Sequence, residues 1–126
     1  MPAVLQDATT SVRFHKGLSP AAITTDTNGT SIDFGASDTD GPTLGVLLTG
    51  TVASGTQVAF ALEESDDEST WETMQNAEID LFTPDGLPRT LLSTRTKRYV
   101  RCAISIDGTS PSAAVSVLLA ESRKLF

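Results

Sequence analysis

An antiparallel β-sandwich or jelly roll of about eight short strands, entered by an extended N-terminal arm, is the fold this sequence predicts. Apolar and polar residues alternate in short runs such as TQVAFALEE and KRYVRCAISI, the period of a half-buried strand. Clusters of Gly, Asn, Asp, Ser and Pro separate those runs at hairpin-like spacing, and no segment carries the stripe of an amphipathic helix. A chain of 126 residues makes one domain, large enough for a single core that buries roughly two thirds of the unfolded surface.

Residues 1–18 have no clean period and hold the single histidine, His15, so they read as an arm or an irregular first strand. Residues 19–126 read as the sandwich domain. Its first unit, AAITTDTNGTSIDFG, predicts a hairpin turning at Asn28-Gly29, a dipeptide suited to the positive φ angles of a type I′ turn, with Ile32 and Phe34 inward. In TLGVLLTGTV, Leu44, Val46 and Leu48 share the expected core face and Leu47 points away. Val58, Phe60 and Leu62 then face inward, and STWETM restarts a strand after an acidic turn.

Between Gln75 and Ser93 the pattern weakens to a long connection with a short strand near Ile79–Phe82 and a turn at TPDGLP. The clearest strand follows: Val100, Cys102, Ile104 and Ile106 inward, Tyr99, Arg101, Ala103 and Ser105 outward. DGTSPS turns the chain back into SAAVSVLLA, with Val115, Val117 and Leu119 inward. Val58, Phe60, Leu62, Val100, Ile104, Val115 and Val117 form the expected shared core.

Charge is distributed in two parts. Gly17–Pro88 holds no Lys or Arg and thirteen of the sixteen acidic residues, whereas seven basic and two acidic residues lie from Arg89 onward. A net charge of −7 argues against a phosphate-backbone ligand, which needs clustered Lys and Arg. The division predicts either pairing between acidic and basic strands of one chain or complementary contact between neighbours. The longest apolar stretches fall far short of the roughly 20 residues of a membrane span, and the N-terminus lacks a basic-then-apolar leader. Expectation therefore favours synthesis in the cytoplasm, with neither membrane nor nucleic acid as partner. One cysteine excludes an internal disulfide framework.

The acidic stretch EESDDESTWE gathers Glu63, Glu64, Asp66, Asp67, Glu68 and Glu72. Its carboxylates are adjacent rather than alternating and lack the central glycine of a helix-flanked calcium loop, so a solvated turn is the better reading. Asp38 and Asp40 in DTDG have a somewhat better spacing for a cation. Catalytic groupings are thin: one histidine, an inward cysteine, and neither a nucleophile elbow nor a phosphate loop. No cofactor or metal is expected, and the chain reads as a non-enzyme.

VAFALEESDDESTWETM, then KRYVRCAISIDGTSPSAAVSVLLAESRK, with TTDTNGTSIDFG ahead of both, resemble in their order the jelly-roll capsid cement, or decoration, proteins of short-tailed bacteriophages. The shared elements are a strand ending in LEESDD, a turn closing on STW, the KRYVR strand, a DGTSP turn and a final valine-rich strand, together spanning roughly residues 20–124. The resemblance implies a virion structural protein on the outer surface of the phage head, stabilising contacts between capsomers of the major capsid protein. Self-association, as a homodimer or homotrimer, is expected from the charge division and from Leu47 and Leu118 lying on the faces opposite their strands' core residues. A tail or baseplate module is the nearest alternative. A carbohydrate-binding module would want more exposed aromatics than one Trp and one Tyr, and a secreted hydrolase would want a leader and more than one His.

The contact residues expected on this reading come from the chain ends and from outward positions. They are Arg13, His15 and Lys16 in the arm, Leu47 and Leu118 opposite their strands' core residues, Tyr99 and Arg101 on the clearest strand, and Arg123, Lys124 and Phe126 in the tail. The wider basic set of Arg89, Arg95, Lys97 and Arg98 is expected to face acidic partners on this chain or a neighbour.

Overall fold

The computed structural model describes residues 10–35 and 42–124, with side chains from 14 to 35 and from 42 to 121. The described residues form β1 (Thr10–Ile23), β2 (Thr27–Asn28), β3 (Ile32–Asp33), β4 (Pro42–Val52), β5 (Gln57–Ser65), β6 (Glu72–Phe82), β7 (Arg89–Thr94), β8 (Tyr99–Asp107) and β9 (Ala113–Lys124), with no helix among them.

The first half of the chain pairs with the second half in reverse order: β1 with β9, β2 and β3 with β8, β4 with β7, and β5 with β6, all antiparallel. This long nested hairpin is rolled up by two further pairings, β4 with β9 and β5 with β8. The result is a jelly roll of two facing sheets, ordered β1-β9-β4-β7 and β2/β3-β8-β5-β6. Between them lie Phe60, Leu62, Val58, Val100, Cys102 and Ile104 from one sheet and Leu47, Val115, Val117 and Leu119 from the other. All seven residues expected to share the core are buried, each contributing about 1.5–3 kcal/mol by leaving water.

Four sequence expectations change. The boundary expected after residue 18 falls inside β1, which continues to Ile23. Register shifts between Lys16 and Leu18 and between Leu18 and Ala21 break its period, which is why this stretch lacks alternation. Residues 1–9 lie outside the described residues, as do Asp38, Asp40 and Phe126.

Asn28-Gly29 makes no hairpin, because β2 and β3 lie along the same edge of β8 as pieces of one interrupted strand. Gly29 has no positive φ. Its role is close approach: its N–H donates to Cys102 O at 2.9 Å, and the Thr30 N–H donates to Gly17 O at 2.9 Å, lacing the edge of one sheet to β1 of the other. A Cβ there would overlap Gly17 O and the Cys102 sulfur.

β4 faces the opposite way from its pattern. Thr43, Gly45 and Leu47 point inward, and Leu47 is 0% exposed; Leu44, Val46 and Leu48 point outward. Leu62 from the facing sheet fills the space where a side chain at position 45 would sit, so the less apolar parity of β4 is the one that fits the core. Leu47 is thus a core residue and no contact residue.

The expected long connection is two strands. β6 runs eleven residues and contains a bulge, marked by the register shift between Ala61 and Glu63 and by Asn76 at φ 57°. Its buried residues Met74 and Ala77 are therefore spaced three apart, which erases the period of two. In β7, Leu91 faces in and its neighbour Leu92 faces out.

Candidate assembly surfaces

The acidic stretch is taken up by the chain itself. Ser65 Oγ accepts from the N–H groups of Asp67 (3.2 Å) and Glu68 (2.9 Å), and Asp67 Oδ1 accepts from those of Ser69 and Thr70, both at 2.9 Å. These bonds close the turn and hold the Asp67 carboxyl below its ordinary range. Buried Glu64 accepts from Thr96 N (2.8 Å), Thr96 Oγ1 (3.0 Å) and Lys97 N (3.1 Å), pinning the β7–β8 connection to β5. Lys97 reaches Glu72 and, at 3.8 Å, Asp66, and its hydrogen bond to Glu72 raises its pKa. Among the described residues no group of three or more His, Cys, Asp or Glu is arranged to hold a metal.

The basic side chains of residues 89–101 likewise find acidic partners within the chain: Arg89 with Asp85 (3.2 Å), Arg98 with Asp33 (2.7 Å) and Arg101 with Glu63 (2.8 Å). Arg98 binds Asp33 through two nitrogens; these bonds, helped by the Gly35 N–H, hold that carboxyl at about 2. Arg101 also lies 4.3 Å over the ring of Trp71, which is half-buried beside the acidic turn. Tyr99 is half-buried one register step away, beneath Arg98 at 5.2 Å.

Arg95 departs most from expectation. Its side chain is 0% exposed, sits 3.4 Å from Glu121 Oε2, and donates to Gly35 O (3.0 Å) and Lys97 O (2.9 Å). It is a structural cation inside the fold, unavailable to a neighbour. Cys102 is also buried, and desolvation pushes its thiol up to about 11, in keeping with a protonated, inert core residue.

The outer face of the β1-β9-β4-β7 sheet has a different character. Cross-strand register places Phe14, Ala120, Leu44 and Leu92 in one row spanning all four strands. The next row is Lys16, Leu118, Val46 and Thr90. Beyond it Ser116 stands opposite Leu48. Phe14 is 64% exposed and Leu92 67%, and Leu48 and Leu118 are exposed as well. No carboxylate stands on this face among the described residues, and Lys16 is its one described charge. The opposite outer face carries Asp33–Arg98 and Glu63–Arg101 toward one end, with Ala103, Ala61 and Ala59 beyond them along β8 and β5.

Of the expected contact residues, Lys16 and Leu118 stand on the apolar face. His15 points inward, its ring 5.0 Å from that of Phe34. Arg13, Arg123 and Lys124 lie on backbone that the register brings together, with Arg13 opposite Glu121, Ser11 opposite Arg123 and Thr10 opposite Lys124, so the first described residue of β1 and the last of β9 meet at one corner of the sandwich. Sequence reading missed Phe14, Leu44, Leu48 and Leu92. The available signal was that β4 carries leucines on both parities, which alternation alone cannot orient.

No family model and no curated protein matches the chain. Solved structures match its fold. VP2 of the infectious bursal disease virus subviral particle superposes with a TM-score of 0.65 at 15% identity, over 91% of this chain. The chain spans only 33% of that VP2 chain. The SPBc2 prophage-derived protein YomS superposes with a TM-score of 0.53 at 8% identity, over 88% of this chain and 94% of YomS. At these identities the likeness is one of fold.

Proposed function

We propose that the chain is a virion structural protein: a cement module that binds the outside of a tailed-phage head and holds capsomers of the major capsid protein together. The observation that carries this reading is the apolar outer face of the β1-β9-β4-β7 sheet, on which Lys16 is the one described charge. A chain that is 20% charged keeps its described carboxylates off that face and leaves large apolar groups there, as a module made to be covered by protein does. The jelly-roll likeness to a protein of a viral particle and to a prophage-derived protein of similar size supports it, as does the sequence's resemblance to cement proteins.

Attachment is assigned to the paired strands β1 and β9. The basic residues of positions 89–101 are engaged with this chain's own carboxylates, and the remaining four, Arg13, Lys16, Arg123 and Lys124, all belong to β1 and β9, which is why attachment to an acidic capsid surface is assigned to them. The test is to mix purified protein with phage particles stripped of it and measure bound copies and particle stability. Saturable binding that raises the particles' resistance to heat supports the function, and failure to bind the head contradicts it.

A further inference from the structure

We infer that two copies of this chain pack outer face to outer face through the β1-β9-β4-β7 sheets, about a twofold axis running along the row Lys16–Leu118–Val46–Thr90. The inference rests on reading this face as an assembly surface, and it names the occupant as a second copy.

Phe14 and Leu92 project from the row on one side of Leu118. On the other side β1 bulges away from β9, and a depression of about 290 Å³ opens, lined by Pro20, Ala21, Leu48, Gly50, Ala114 and Ser116. Projection and depression are separated along β9 by the interval from Ala120 to Ser116, with Leu118 midway. A twofold axis through the Leu118 row and across the strands lays each copy's Phe14 row over the other's depression, and the strands of the two sheets run aligned. Such an isologous contact is satisfied on both copies at once and closes.

Area and charge agree. Four strands about 4.8 Å apart and roughly nine residues long at about 3.3 Å each cover roughly 570 Å² per copy, or about 1,100 Å² for the pair, which clears the roughly 1,000 Å² expected of a specific interface. The net charge of −7 would drive two copies apart if carboxylates met, but none stands on the described face. Lys16 lies on the axis too and meets its own copy at the β1 edge, where each long side chain can carry its ammonium away from the other into water.

Sedimentation of the isolated protein over a range of concentrations tests the proposal, together with self-crosslinking of Leu118→Cys under oxidation. Residue 118 lies on the axis and meets its own copy, while the native Cys102 is buried. The expected results are a two-copy mass, a disulfide-linked Leu118→Cys dimer, and a Leu118→Asp protein that folds normally but associates roughly thirtyfold more weakly or worse. Leu87→Ser, exposed but off this face, should leave association unchanged. A monomer at all concentrations, a trimer, or a dimer that neither crosslinks through position 118 nor responds to Leu118→Asp overturns the inference. A monomer that still occupies phage heads overturns the dimer and leaves the cement reading standing; a position-118 dimer that ignores heads does the reverse.

Discussion

Leu47 and Leu48, neighbours in β4, stand on opposite sides of the sheet: Leu47 is sealed in the core at 0% exposure, and Leu48 lies on the outer face at 46%. Leu47→Ala should therefore cost about 2–5 kcal/mol in urea unfolding, as truncation of a buried leucine does. Leu48→Ala should change stability by less than about 0.5 kcal/mol in the monomer. Equal losses, or the reverse order, would show that β4 is turned over. Phe60→Ala, at about 3–5 kcal/mol, calibrates the scale from the facing sheet.

Arg95 joins three parts of the molecule, because it meets Glu121 of β9, Phe34 and Gly35 after β3, and Lys97 before β8. Removing one partner leaves a buried charge, so Arg95→Ala and Glu121→Ala should each destabilise by about 3–5 kcal/mol. The double variant should be less destabilised than the sum of the two, as coupling within one ion pair requires. Strict additivity in thermal or urea unfolding would show that the pair does not act as a unit.

The regular strands were legible for a physical reason. β5 from Val58 to Leu62, β8 from Val100 to Ile104 and β9 from Ala113 to Leu119 alternate without interruption, so period alone orients Phe60, Ile104 and Val117. Where an extra residue enters, at the β1 shifts or the Asn76 bulge, side chains change face within the element and the period disappears. The inward Arg95 was illegible for another reason: its partner Glu121 is far along the sequence and only the rolled-up pairing brings them together. The same long-range closure decides Gly29, whose meaning is the nearness of Gly17 and Cys102. As for the assembly face, Leu118 was visible, whereas Phe14 and Leu92 needed the cross-strand register.

Gly29→Ala offers a separate check on that closure. An added Cβ would overlap backbone oxygen and a buried sulfur, so the substitution should cost about 1–3 kcal/mol or more through forced backbone movement. Gly50→Ala is the reference, since an added Cβ there meets only Ala114 Cβ at 3.5 Å, an ordinary contact, and its φ is not positive. A loss at position 29 no larger than at 50 would remove the lacing of β1 to the β2/β3 edge.

Acid sensitivity follows from Asp33 and Asp67, both held below the ordinary carboxylate range. The Arg98 hydrogen bonds carry Asp33 from 3.8 to about 2, and the Thr70 and Ser69 N–H groups lower Asp67. The folded pKa lies below the unfolded one, so the unfolded chain binds more protons in this window. The stabilisation is present above about 3.8 and is lost as pH falls toward about 2. Stability measured at fixed urea between those limits should fall less steeply for Asp33→Asn combined with Asp67→Asn than for the parent. Identical slopes would mean that these carboxylates are not engaged in solution.

Occupancy of stripped phage heads as a function of salt tests the central claim most directly, measured for the parent, for Arg123→Ala combined with Lys124→Ala, and for Asp66→Ala. The account predicts saturable binding by the parent that weakens as salt screens surface charge over about 8 Å at physiological ionic strength. It predicts a clear loss of occupancy in the Arg123/Lys124 variant at an unchanged melting temperature, and retention in Asp66→Ala. No binding by the parent, or loss confined to the Asp66 variant, would contradict it.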